Sequence, residues 1–150
     1  MQAMETLLKQ KQVEISVEKA ARADMEDIAR KADALDLDCT NLGYEQFVVA
    51  RRNGVILGFG RLKKYYDWSE LATLGVVKEE QGKGIGTAIV CELLKEKGTD
   101  VYVTCVIPEY FSRFGFYAVK EFPKLLMKKY DFCRSFGFAD NEVFVMKMRD

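Results

Sequence analysis

The chain has 150 residues and not one is histidine. That absence removes the imidazole general base, the histidine of a nucleophile triad and the commonest transition-metal ligand. The four cysteines, Cys39, Cys91, Cys105 and Cys133, never form C-x-x-C, so no metal site is expected. Only two prolines occur, Pro108 and Pro123, and there is no repeat, low-complexity tract or linker. Residues 1–150 therefore read as a single domain. No apolar run approaches the ~20 residues of a membrane span. The opening MQAMETLLKQKQ is polar and lacks a secretory hydrophobic segment, so a cytoplasmic protein without a membrane partner is expected. An excess of either charge is also missing, with 23 basic against 23 acidic side chains. That balance speaks against a nucleic-acid partner. Proton transfer, if there is any, falls to Glu, Asp, Tyr, Cys, Lys or water.

What is present is a chain that is 49% apolar, with clear periodicities. Residues 12–18, QVEISVE, alternate and predict a strand. Asp24 stands as the N-cap of a helix carrying Met25, Ile28, Ala29 and Ala32 on one face. Residues 36–43 read as an irregular connection. Asn53-Gly54 sits between two strand-like runs, the signature of a tight hairpin. YYDWS, 65–69, reads as a turn and ELATLGVV, 70–77, as a strand. Ile85, Ala88, Ile89 and Leu93 predict a helix over 84–97, stopped by Gly98. VYVTCVI, 101–107, is apolar on both faces, as a central strand would be. Pro108 opens a short helix over 109–114, Gly115 breaks it, and FYAVKEF follows as a strand. A polar segment, KEFPKLLMKKYDFCRSFGFADNE, 120–142, leads to a closing strand, EVFVMKM, 142–148. The strand–helix–strand unit from 70 to 107 predicts one parallel pairing within a mixed sheet.

Between the strand and the helix at its centre lies QGKGIG, residues 81–86. Gly82, Gly84 and Gly86 permit positive φ and close approach of a bulky group. Successive N–H groups there, with those of the helix start, make an anion site suited to phosphate or pyrophosphate. A Walker loop is excluded, because Gly82-Lys83 runs into Gly84 and no glycine stands five places earlier. The dinucleotide fingerprint G-x-G-x-x-G fails as well, since its third glycine comes one place early.

Gln81-Gly82-Lys83-Gly84-Ile85-Gly86 matches the Q/R-x-x-G-x-G/A loop of the GNAT acetyltransferase superfamily without a gap. The loop follows ATLGVV, like that family's fourth strand, and YFSRFGF, 110–116, is similar to its F-Y-x-x-x-G-F segment. The resemblance covers roughly residues 13–120. It implies an α+β GNAT fold: a mixed, mostly antiparallel, six- to seven-stranded twisted sheet flanked by helices and splayed between its fourth and fifth strands. It implies acetyl-coenzyme A as cosubstrate, with the backbone of Gln81, Gly82, Lys83, Gly84, Ile85, Gly86 and Thr87 around the pyrophosphate. The pantetheine arm would lie along residues 74–77, with backbone groups of Val76 and Val77 beside it. Direct attack of an amine on the thioester needs a base. Glu70, at the start of the fourth strand, is the candidate, against the alternative of an exposed strand-end charge; Glu109 is a weaker one. The family's leaving-group tyrosine falls on Phe111 here, because the pair is inverted to Tyr110-Phe111. Tyr110 is therefore either the thiolate's acid or a packing residue, and Ser112 and Cys105 are remoter substitutes.

Arg61 and Lys63 share one face of the third strand by alternation, with Lys64 on the other. Such charges make either a solvated edge or a carboxylate site. LKKYYDWSELATLGV resembles the acetyltransferase domain of N-acetylglutamate synthases, in which Lys63 falls on a substrate-binding lysine. That resemblance implies a small-molecule amine acceptor such as glutamate; Lys63 by that match, Arg61 by its shared face and Arg134 from the later polar segment are the candidates to hold it. A protein or peptide acceptor and a non-catalytic acetyl-coenzyme A-binding module are the rival readings, and fold analogy allows a homodimer.

Overall fold

A computed structural model describes residues 15–149. Of the strand expected at 12–18, the first three residues lie outside that range. Seven strands form one sheet in the order β1-β2-β3-β4-β5-β7-β6. The described residues fall into two compact units: 15–62 with 73–96, and 63–72 with 97–149.

In the first unit β1 (Ile15–Lys19) is antiparallel to β2 (Phe47–Arg52), and β2 is antiparallel to β3 (Val55–Lys64). The hairpin joining β2 and β3 turns on Asn53 and Gly54, with φ of 52° and 78°, the double positive φ that a two-residue primed turn requires. Helix α1 (Met25–Ala34) buries Ile28 and Ala32 against Phe47, Val49, Ile56 and Phe59. Asp24 does not cap it with its side chain. Its carboxylate accepts the Ala21 N–H at 2.7 Å and pairs with Arg51 across to β2 instead. Helix α2 (Ile85–Leu94) packs close on β3, and glycine on the strand makes the room. A Cβ at Gly58 or Gly60 would stand 3.0 Å from Ile89 side-chain carbons.

In the second unit the start of β4 (Trp68–Val76) runs parallel to β5 (Asp100–Cys105), from Trp68↔Asp100 to Leu71↔Val103. The paired register ends there, although β4 continues for five residues. β7 (Phe144–Met148) is antiparallel to β5 and also to β6 (Phe116–Ala118). Helix α3 (Pro108–Ser112) follows β5, with its proline in the first turn.

Three expectations need correction here. β4 begins at Trp68, inside the stretch read as a turn, where Tyr65 and Trp68 stack at 4.2 Å. The strand read through residue 122 ends at Ala118. The polar connection contains a further helix, α4 (Leu126–Arg134). Its Leu126 is buried against Tyr102 and Val145, with Trp68 and Tyr130 packed around them. Burial of that leucine among aromatic rings anchors a helix in which Met127 is exposed while Tyr130, Phe132 and Cys133 are half-buried.

Candidate functional site

The loop at the head of α2 is built by glycine geometry. Gly82 and Gly84 adopt φ of 80° and 85°, and nothing lies within 4 Å of where a Cβ would stand on either. Gly86 does not share that conformation; it lies inside the first turn of α2. Gly84 is the residue from which the helix departs, and its carbonyl accepts the Ala88 N–H at 3.1 Å. The N–H groups of Ile85 and Gly86 precede that first helical bond and are among the donors that the start of a helix leaves unmatched within it. No acidic residue occupies the first turn. The partial positive charge at the helix start therefore faces a loop open to an anion.

Side chains brace the loop from below. The Gln81 amide donates to the Val76 carbonyl at 2.8 Å, closing the strand onto the loop. Glu80 is buried and accepts from both Arg52 and Lys83, the latter at 2.6 Å. The two cations hold its carboxyl below the usual glutamate range, Lys83 most strongly and Arg52 next. Lys83 thus enters the loop already joined to Glu80.

The edge of β4 beside this loop has a definite phase. The Val77 N–H is donated to the Leu57 carbonyl of β3 at 2.8 Å. Strand alternation then turns the N–H of Gly75 toward β3 as well, and those of Leu74 and Val76 toward the opposite edge. Of the two valines, only Val76 presents its N–H there. Inside this strand Thr73 has φ of 51°, a left-handed conformation that costs a β-branched residue on the order of 1–3 kcal/mol.

Glu70 is not an exposed strand-end charge. It is 3% exposed, and two ammonium groups approach it. Lys63 Nζ is 3.9 Å from Oε1 and Lys129 Nζ is 3.2 Å from Oε2; both lysine side chains are 13% exposed. The Lys129 contact is an ion pair without hydrogen-bond alignment, since Oε2 accepts no hydrogen bond. The sequence does not point to Lys129, because α4 falls in a stretch that reads as polar connection. The i, i+4 spacing of Leu126 and Tyr130 was the available signal.

The remaining candidates are dispersed. Arg61 is wholly buried and engaged with Thr73, Gln46 and the backbone of Asp38 and Asn41, so it offers no surface to an acceptor. Arg134 is on the surface, paired with Asp140 at 2.8 Å. Phe111 is buried, its ring edge-on to Phe116 at 6.0 Å. Tyr110 is half-buried, edge-on to Phe111 at 5.1 Å and Phe114 at 5.4 Å. The inverted pair therefore places the phenol and the buried ring on different sides of α3. Glu109 and Ser112 are exposed, and the Ser112 hydroxyl donates to the Glu109 carbonyl at 2.8 Å. Burial pushes the Cys105 thiol up to about 11. Among the described residues no cluster of carboxylates and cysteines could hold a metal ion, and no helix is long and apolar enough to cross a membrane.

With this geometry in view, a family model described as "Acetyltransferase (GNAT) family" matches residues 3–119. No curated protein sequence matches the chain. Solved structures do. The N-acetylglutamate synthase of Neisseria gonorrhoeae, complexed with coenzyme A and N-acetyl-glutamate, superposes with a TM-score of 0.72 at 20% identity over 90% of this chain. The chain spans only 35% of that protein. Rv2747 of Mycobacterium tuberculosis, in complex with coenzyme A and NLQ, gives 0.70 at 23% identity, covering 89% of this chain and 98% of that one. Ard1 of Thermoplasma volcanium gives 0.64 at 16% identity, covering 92% and 100%. At these identities the likeness is one of fold.

Proposed function

Because the chain belongs to the acetyltransferase (GNAT) family, we propose that it transfers the acetyl group of acetyl-coenzyme A to the primary amine of a small, acidic metabolite, an amino acid such as glutamate being the model acceptor. The observation that carries the acceptor class is the buried carboxylate of Glu70 with Lys63 and Lys129 on its two oxygens. Two partly buried ammonium groups converging from β3 and α4 suit a carboxylate-bearing acceptor better than a basic one. The glutamate-related ligand in the Neisseria neighbour's complex agrees with that reading.

Acetyl-coenzyme A supplies the activated acyl group. The residues present fit it: left-handed glycines with open space above them, the N–H groups at the start of α2, and the N–H groups of Leu74 and Val76 turned to one edge of β4. The first set would hold the pyrophosphate. The second would pair with the pantetheine amides and polarise the thioester carbonyl. The acceptor nitrogen would bond to the acetyl carbon as the carbon–sulfur bond breaks. Glu70 would take the nitrogen's proton through water, and Tyr110 would give one to the departing thiolate. Glu70 stands four residues before Leu74 on the same strand. The rival reading, a non-catalytic binding module, is favoured by the buried Phe111 where a phenol would be expected.

Thiol release from acetyl-coenzyme A, measured with glutamate, other amino acids, neutral and cationic amines, and short peptides, tests the proposal. Release with acidic amino acids supports it. Release with peptides or cationic amines alone overturns the acceptor class, and coenzyme A binding without release on any acceptor favours the binding module.

A further inference from the structure

Glu70 meets Lys63 of β3, and three residues later Thr73 meets Arg61 of β3. Arg61 and Lys63 share a face by strand alternation, so Glu70 and Thr73 share it too. An odd separation cannot do this in a regular strand. The phase of β4 must slip by one residue between them, as in a β-bulge, and the left-handed φ of Thr73 marks where. The slip decides which N–H groups beyond it face which edge. It therefore puts Leu74 and Val76 on the edge assigned above to the thioester arm.

What holds a β-branched residue in that conformation is a buried network. Arg61 Nε donates to Thr73 Oγ1 at 2.8 Å, and Thr73 Oγ1 donates to the Asp38 carbonyl at 2.9 Å. The two terminal nitrogens of Arg61 reach the Asn41 carbonyl at 3.3 Å, Gln46 Oε1 at 3.2 Å and Asp38 Oδ2 at 3.4 Å. The guanidinium also lies over the Phe47 ring, 5.5 Å from its centroid. Four non-glycine residues among those described have positive φ. One is in the hairpin; the other three, Asp36, Asn41 and Thr73, lie in or beside the segments this arginine ties together. Strained backbone persists where its surroundings over-determine it, and here they do so at the strand carrying the proposed reaction.

We propose that Arg61 and Thr73 form a latch that fixes the slip in β4, making them positioning residues for acetyl transfer without contact with either substrate. The proposal rests on the cofactor reading above. Thr73→Val tests it with least disturbance, because valine keeps the β-branch and removes only the hydroxyl; Thr73→Ser restores the hydroxyl. The readout is the backbone ¹H–¹⁵N resonances of Leu74, Val76, Gly82 and Gly84 as coenzyme A is added, together with kcat and KM on any acceptor found.

In the wild type and Thr73→Ser, all four resonances should respond. In Thr73→Val, Gly82 and Gly84 should still respond, Leu74 and Val76 should lose their response, and kcat should fall by ~10- to 100-fold with KM for acetyl-coenzyme A within about threefold. Equal responses at Leu74 in all three proteins overturn the latch alone. Equal loss in the serine and valine variants also overturns it, since the hydroxyl would not matter. No response at Gly82 and Gly84 in the wild type overturns the cofactor reading, and this inference with it.

Discussion

Lys129 Nζ stands 3.2 Å from Glu70 Oε2, while Lys63 approaches the other oxygen of the same carboxylate at 3.9 Å. A residue of α4 is thereby joined to β4 at the point proposed for acceptor binding. Lys129→Met, which keeps the aliphatic stem, should raise the KM for an acidic acceptor about tenfold or more. It should leave the KM for acetyl-coenzyme A unchanged, since the altered group is the one assigned to the acceptor's carboxylate. Steady-state kinetics with each substrate varied in turn would show this, and equal changes in both constants would count against the assignment.

Glu70→Gln preserves shape and removes the proton acceptor. Turnover should drop by ~10²-fold or more, with coenzyme A affinity within about twofold by calorimetry. The melting temperature should fall too, because Lys63 and Lys129 lose a buried counter-charge. Normal turnover in a folded variant would return the carboxylate to a purely structural role.

Gly84→Ala and Gly84→Asp separate backbone strain from charge. The space above Gly84 is open, so alanine meets no atom and costs only the left-handed conformation, about 1–2 kcal/mol. Aspartate carries the same strain and adds a negative charge where the pyrophosphate is proposed to sit. Coenzyme A affinity should survive in weakened form in the first variant and vanish in the second. Similar affinities in the two would mean that no anion sits on this loop.

Asp24 links stability to pH. Hydrogen bonding from Arg51 holds its carboxyl below the usual aspartate range, with the Ala21 N–H adding to the effect. A depressed folded-state value contributes stability that is complete above the unfolded value and is lost as pH falls through the folded one. The gap in melting temperature between the wild type and Asp24→Asn should be open at neutral pH. It should close as the pH drops below the usual aspartate range. A gap independent of pH would mean that packing, and not charge, holds the pair.

Cys105 and Cys91 should differ sharply toward alkylation. Cys105 is buried, its thiol pushed up to about 11 by burial, and it donates to the Met146 sulfur at 3.6 Å; Cys91 is exposed. Iodoacetamide at pH 8 should label Cys91 within minutes and leave Cys105 intact in the folded protein. Comparable labelling by peptide mass spectrometry would show that the core around β5 opens readily.

The glycine loop and the hairpin were legible in the sequence because both are local. Gly82, Gly84 and Asn53-Gly54 are demanded by backbone angles that neighbouring residues cannot change. The exchange of Tyr110 and Phe111 was legible as a departure for the same reason. Arg61 was not. Along a strand its charge reads as solvent edge or acceptor site, and nothing nearby says that Asp38, Asn41, Gln46 and Thr73 will enclose it. Lys129 was hidden because the helix bearing it buries little more than Leu126, too thin a stripe to stand out among exposed Leu125 and Met127. The slip in β4 was hidden as well, since Thr73 is a residue type that ordinarily favours regular strand.

The order β5-β7-β6 has a bearing on how the protein is made. β7 is synthesised after both of its neighbours, yet it lies between them. As the nascent chain lengthens, β5 and β6 each wait with an open edge until residues 144–148 leave the ribosome tunnel. At ~5–20 residues per second, the stretch from β6 to β7 keeps those edges exposed for seconds. The interval invites pairing with other chains. The short length of β6 and the charge of Lys120, Lys124, Lys128 and Lys129, between it and β7, work against such pairing while the chain is being made.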